Sequence, residues 1–204
     1  MKYYINCAKR SDSLAREVKE LIPDMNMRRR MSRVVKMGVT TGIESLVDFD
    51  AYGQVDAIVT ATWLGCVADS EKFLYNLLDS NEQMLNPTPF IQSTFNTVGA
   101  QIAQIRSMHC YNNTFTHKNS SFESAVLDAI LCLDSGRARA VLVGVYDELT
   151  PTVEAILQRL NVPKTRKLIE GAFFFVLTAQ PLDCSVSELS LSLGTTAKIE
   201  IKCI

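Results

Sequence analysis

The stretch Asn112-Asn113-Thr114-Phe115-Thr116-His117-Lys118-Asn119-Ser120-Ser121-Phe122-Glu123-Ser124-Ala125-Val126-Leu127-Asp128-Ala129 changes periodicity in its middle. Residues 113–117 alternate polar and apolar, as a half-covered strand does. Lys118 and Asn119 make a turn. Beyond it Phe122, Ala125, Val126, Ala129, Ile130 and Leu133 recur at helical spacing. Ser120 and Glu123 have the spacing of a capping box, in which a hydroxyl and a carboxylate satisfy two orphan N–H groups at a helix start. A strand that turns sharply onto a helix N-terminus can present a nucleophile or an oxyanion site. No residue at this turn is a strong nucleophile, and that absence bears directly on function.

Working outward, the same alternation of strands and helices recurs. Residues 2–7 read as a short strand. Residues 13–21 read as a helix closed by Pro23, and Ser32 is placed to cap the next. In that next helix Val34, Val35, Gly38, Val39, Gly42, Ile43 and Leu46 share a face. Glycine is costly in a helix interior, so Gly38 and Gly42 imply close packing. Residues 56–61 form a continuous, β-branched strand of the buried type. Gly65 turns the chain, and Asp69 or Ser70 caps a helix bearing Phe73, Leu74, Leu77 and Leu78. The run Asn86-Pro87-Thr88-Pro89 is a break, because each proline restricts the residue before it. Residues 94–105 read as a helix with Phe95, Val98, Ile102 and Ile105 on one face. Gly99 keeps it thin.

After the central stretch, residues 140–145 and 172–177 read as buried strands. Residues 154–160 read as a short helix, 161–166 as a polar loop, and 188–194 as a further strand. Asp147 and Glu148 read as solvated loop charges at a strand end. The fold class is therefore α/β, a mostly parallel mixed sheet covered by helices.

With 204 residues, 47% of them apolar, and a formal net charge of −1, the chain reads as one globular domain, residues 1–204, with a sizeable core. There is no basic excess to suggest nucleic acid. The cluster Arg28-Arg29-Arg30 reads as a solvated helix start. Cys7, Cys66, Cys110, Cys132, Cys184 and Cys203 include no CxxC pair, and His109 and His117 supply no zinc spacing, so no metal is expected. Cys66 and Cys132 read as small core residues. No run approaches membrane-spanning length, and the N-terminus lacks an apolar h-region. The expected setting is a reducing cytoplasm, without membrane insertion.

Several blocks then occur in the order found in β-ketoacyl synthases of the thiolase-like fold. They are Arg30-Met31-Ser32-Arg33 opening a helix; Ala61-Thr62 through Gly65 to Phe73-Leu74; Asn86-Pro87-Thr88-Pro89-Phe90 followed by Ser93 and Asn96; Ala129, Gly136 and Val141-Leu142-Val143-Gly144 up to Asp147-Glu148; and Glu170-Gly171-Ala172. The chain resembles the N-terminal half of that family. Residues 115–129 also resemble the short ketosynthase-like proteins of aryl-polyene and flexirubin-type pigment clusters, with Lys118 where arginine is usual. Those proteins are thought to act as chain-length-factor subunits.

The resemblance places Asn119 where active members carry a nucleophilic cysteine. An amide nitrogen is not nucleophilic and cannot form the acyl thioester. The family's catalytic histidines belong to its C-terminal half, so His117 does not replace them; it reads as a buried or interface histidine. The resemblance further implies that Asn112, Asn113, Thr114, Phe115, Thr116 and His117 form an edge strand paired across a dimer. It would also set Ile91 and Phe95 near the end of an acyl pocket, whereas the residues alone suit ordinary core positions equally well.

The expected role is a non-catalytic chain-length factor, without a cofactor. It would pair as a heterodimer with a full-length β-ketoacyl synthase working on acyl carrier protein thioesters, in aryl-polyene, polyketide or fatty-acid synthesis. Two other readings stay open. One is a stand-alone acyltransferase or thioesterase using Ser120 or Ser121; the other is a homodimer that binds acyl chains or carrier protein.

Overall fold

The computed structural model describes residues 2–81, 83, 85–161, 170–193 and 197–203. A seven-stranded sheet runs in the order β3-β2-β4-β5-β1-β6-β7. The strands are β1 (Lys2–Arg10), β2 (Ala57–Ala61), β3 (Tyr111–Phe115), β4 (Ala140–Asp147), β5 (Gly171–Thr178), β6 (Ser185–Leu193) and β7 (Ala197–Cys203). The α-helices are α1 (Val18–Leu21), α2 (Met25–Arg30), α3 (Arg33–Phe49), α4 (Val67–Asp79), α5 (Pro87–Gln92), α6 (Thr97–Ile105), α7 (Ser121–Asp134) and α8 (Pro151–Arg159).

The central strands are apolar without alternation because both faces are covered. Ile58, Leu142, Phe174 and Val176 point to one face, where Val35, Val39, Ile43, Val98 and Ile102 of α3 and α6 meet them. Val59, Val143, Phe175 and Leu177 point to the other, against Ala125, Val126, Ala129 and Ile130 of α7. The expected close packing at the glycines is present. A Cβ on Gly38 would lie 2.8 Å from Val98 Cγ1, and one on Gly42 would lie 2.5 Å from Ile102 Cδ1. Cys66 and Cys132 are buried, as read.

The α/β class holds, but the parallel ladders are the minority. Among the described residues only the β3-β2-β4 ladders are parallel. The ladders β4-β5, β5-β1, β1-β6 and β6-β7 are antiparallel. The N-terminal strand threads between two strands from the far end of the chain, a pairing that no local pattern announces.

Other local expectations are corrected. β1 continues to Arg10, because its register shifts between Asn6 and Lys9 and Cys7 takes a left-handed φ of 48°, which interrupts the alternation. The helix expected over residues 13–21 is reduced to α1: the N–H groups of Ala15 and Arg16 donate to the buried Glu44 carboxylate (2.9 and 3.4 Å) instead of to helix carbonyls. The arginine cluster ends α2, a helix capped by Asp24, and Arg28 donates to the carbonyls of Ile22 and Pro23.

Ser32 stands at the start of α3 without a side-chain cap, and its backbone N–H donates to Gln92 Oε1 (2.9 Å). Pro87 is a helix start as well as a break: α5 begins there, with Asn86 accepting from the Thr88 N–H. The helix expected over 94–105 begins only at Thr97, which leaves Phe95 in the connection. The expected loop 161–166 lies outside the described residues beyond Asn161.

Candidate functional site

β3 stands at one edge of the sheet. It runs into a 3-10 turn, Lys118–Ser120, and then into α7. Lys118 is forced to a φ of 54°, a conformation uncommon for a residue with a Cβ. The Ser120 N–H donates to the His117 carbonyl (3.1 Å), and Ser121 Oγ donates to the Lys118 carbonyl (2.7 Å). The capping box does not form. Ser120 makes no side-chain cap, and Glu123 Oε2 is buried without a hydrogen-bond partner. Ser120 is the N-cap and Glu123 the third helical residue, but the 3-10 turn holds Ser120 at φ −103° and ψ 12° instead of the extended backbone that aims a capping hydroxyl. His117 is exposed, which overturns the buried reading; its Nδ1 pairs with Ser124 Oγ at 2.9 Å.

The turn opens onto a cavity of about 600 Å³. Lys118, Asn119, Ser121 and Phe122 come to it from the turn and α7. Arg10, Ser11 and Asp12 arrive from the end of β1, Thr62 and Trp63 from the end of β2, and Val145, Tyr146 and Asp147 from the end of β4. Glu170, Gly171, Ala172 and Phe173 close the ring from the start of β5. The apolar part is Phe122, Val145, Ala172 and Phe173. The charged rim holds Arg10 paired with Asp12 (3.2 Å), Lys118, and Glu170 paired with Arg33. Among the described residues that line it there is no cysteine and no histidine.

Asp147 and Glu148 are buried, not solvated loop charges. Asp147 accepts from Thr62 Oγ1 (2.7 Å) and from the N–H groups of Trp63 (3.0 Å) and Leu64 (2.9 Å), so it fixes the loop that carries Trp63 into the cavity. Glu148 accepts from the Ala68 N–H (3.0 Å) and caps α4 from a distant strand, the task expected of Asp69 or Ser70. Burial pushes both carboxyls above their ordinary range, against the hydrogen bonds that pull them down.

Of the residues expected to matter, Asn119 is at the cavity, and Asn112, Asn113, Thr114 and Phe115 lie on the edge strand with Thr116 and His117 following. Asn112 Nδ2 donates to the Gly99 carbonyl (2.9 Å), and the Thr114 and Thr60 hydroxyls share a hydrogen bond (2.8 Å). Ile91 and Phe95 are 62% and 48% exposed, so neither is a core residue. Neither lines the cavity. The Phe95 ring covers Gly65, and its carbonyl accepts from the buried Tyr146 hydroxyl. Arg10, Ser11, Asp12, Trp63 and Phe173 escaped the sequence reading. The continuation of β1 beyond its bulge was the missing signal for the first three.

The β-ketoacyl synthase N-terminal domain family matches residues 6–181. This chain belongs to that family. Several solved structures share its fold. A ketosynthase (ApeO) in complex with its chain length factor (ApeC) from Xenorhabdus doucetiae aligns with a TM-score of 0.69 at 18% identity, over 94% of this chain and 82% of that one. The ishigamide ketosynthase/chain length factor aligns with a TM-score of 0.69 at 17% identity, over 86% and 51%. A type II polyketide synthase acyl-carrier protein in complex with its ketosynthase bound to the hexaketide (AntDE:AntF) gives 0.71 at 15% identity, over 93% and 67%.

Such identities establish the fold, which is thiolase-like and represented here by its N-terminal half. The chain spans 51% of the second structure's chain and 82% of the first. No curated protein sequence matches it. No helix among the described residues is long and apolar enough to cross a membrane.

Proposed function

We propose that this β-ketoacyl synthase-like chain is a non-catalytic, chain-length-setting subunit that pairs with a full-length β-ketoacyl synthase acting on carrier-protein thioesters. The observation that carries the reading is the turn itself. The position that resembles the family's nucleophile is Asn119, and it opens on a cavity whose described lining offers neither thiol nor imidazole. Carbon–carbon condensation through an acyl-enzyme needs a nucleophile and groups to move protons; an amide supplies neither.

The serine alternative is weaker at this geometry. Ser121 is buried and its hydroxyl is committed to the Lys118 carbonyl. Ser120 is exposed and does not line the cavity. The polar edge strand β3 supports a pairing role, because an uncovered strand edge is a template for another chain. The solved neighbours that hold a ketosynthase with its chain length factor support the same assembly. Carrier protein would then be met by the complex. Ile91 and Phe95, exposed in the single chain, would lie against the partner near the end of its acyl channel.

Co-expression with a full-length ketosynthase, size-exclusion chromatography and a condensation assay on malonyl- and acyl-carrier protein test the proposal. A one-to-one complex whose product length shifts on Phe95→Ala is expected. Turnover by this chain alone, or a stable homodimer indifferent to the ketosynthase, would overturn it in favour of a serine enzyme or a homodimeric acyl binder.

A further inference from the structure

Cys7 and Cys184 are 177 residues apart in sequence but neighbours in the sheet. The antiparallel ladder between β1 and β6 pairs Asn6 with Ser185, just past a register shift. Cys7 directly follows Asn6, and Cys184 directly precedes Ser185 in the turn that leads into β6, so both thiols lie at the same end of this ladder. The Cys184 side chain reaches the Cys7 thiol through a hydrogen bond. Asn6 Oδ1 accepts from Ser185 Oγ (2.6 Å) and faces Cys184 Sγ at 3.7 Å. Both thiols are free and half-buried. The backbone at Cys7 is held with φ 48°, and its carbonyl accepts from Ser45 Oγ (2.8 Å). The opposite side is a tight turn in which the Ser185 N–H donates to the Leu182 carbonyl (2.9 Å).

We infer that Cys7 and Cys184 form a reversible intrachain disulfide, a modification site that staples the first strand of the sheet to the C-terminal hairpin.

Burial, followed by the charge of Cys184 and hydrogen bonding to it, pushes the Cys7 thiol up to about 12. Cys184, on the turn, therefore meets the oxidant first. Its thiolate attacks a low-molecular-weight disulfide and expels one thiolate, leaving a mixed disulfide. Cys7 loses its proton to solvent, attacks the Cys184 sulfur and expels the second small thiolate. Two protein thiols and one small disulfide become one protein disulfide and two small thiols. β1 continues from this link to Arg10, Ser11 and Asp12 at the cavity rim.

The test treats the folded full chain with oxidised glutathione, then unfolds it in urea, blocks the remaining thiols by alkylation, and maps peptides without reduction. The expected result is a joined pair of peptides containing Cys7 and Cys184, with Cys66, Cys110 and Cys132 alkylated, and release of the pair by dithiothreitol. Cys7→Ser is expected to leave glutathione on Cys184, and Cys184→Ser to leave Cys7 unmodified. Alkylation of both residues in the wild-type chain, a lasting glutathione adduct on wild-type Cys184, or linkage of either residue to another cysteine would each overturn the assignment. The wild-type map stands without the variants, so a variant that fails to fold does not obscure the outcome.

Discussion

Asn119 differs from a thiol by a chemistry that its surroundings do not repair. It sits at a strained turn, with Lys118 at φ 54°, beside a cavity whose described lining includes no histidine. Asn119→Cys is therefore expected to add an alkylatable thiol without creating condensation activity. Iodoacetamide labelling and a malonyl-carrier-protein assay on the same sample check both halves.

Asp69 makes a second prediction at this scale. It is 8% exposed, and its Oδ2 has no hydrogen-bond partner. Burial raises its carboxyl, with Ser32 and Lys72 pulling the other way. A raised carboxyl means the native state holds the proton more tightly than the unfolded chain. Its contribution therefore worsens as pH rises through the window between the ordinary value of 3.8 and the raised native one. Asp69→Asn removes the ionisation that burial penalises and is expected to stabilise the chain near neutrality. The advantage should vanish on acidification. Urea midpoints of both proteins at about pH 7 and about pH 4 measure it.

At the scale of elements, the sheet and its covering helices approach as closely as their glycines allow. Gly144 on β4 faces the Phe174 ring of β5, where an added Cβ would sit 2.0 Å from Cε1. The ring is fully buried and cannot swing away. Gly144→Ala is expected to cost about 2 kcal/mol, the usual scale of overpacking in a dense core. Gly38→Ala meets the two γ-carbons of Val98 at 2.8 and 3.2 Å but removes a helix-interior glycine, so it should cost less. Thermal unfolding of the two variants tests the ranking. Helix starts show a related lesson. α2 and α8 are capped by their own Asp24 and Thr150, as local chemistry dictates. α4 is capped by Glu148, some 80 residues downstream.

For the whole molecule, one feature stands outside the core. Leu74 and Leu78 on α4, and Phe90 and Ile91 on α5, are more than half exposed, with Leu78 at 72%. A cluster of large apolar side chains left in water marks an interaction surface. The proposed ketosynthase partner gives it an occupant. Leu78→Glu is expected to leave the far-ultraviolet circular dichroism unchanged and weaken the complex at least about tenfold, or about 1.4 kcal/mol. Titration calorimetry or analytical size exclusion reads the difference. An unchanged affinity would remove α4 from the interface.

What the sequence determined by itself was local or carried by spacing. The turn at Lys118-Asn119, the apolar strands around residues 58, 142 and 175, and the tight glycines were all legible. Each rests on a residue's own chemistry or on a period of two or 3.6 residues. Contacts between distant segments were not legible. Glu44 withdraws two N–H groups from an expected helix, and Asp147 and Glu148 are buried because the loop at residues 62–68 needs their oxygens. β1 inserts antiparallel between β5 and β6, carrying Arg10 to the cavity. A buried carboxylate finds its donors, and a strand finds its neighbours, through the packed chain as a whole. Those pairings therefore leave no periodic trace in the residues that make them, and only the tertiary structure decides them.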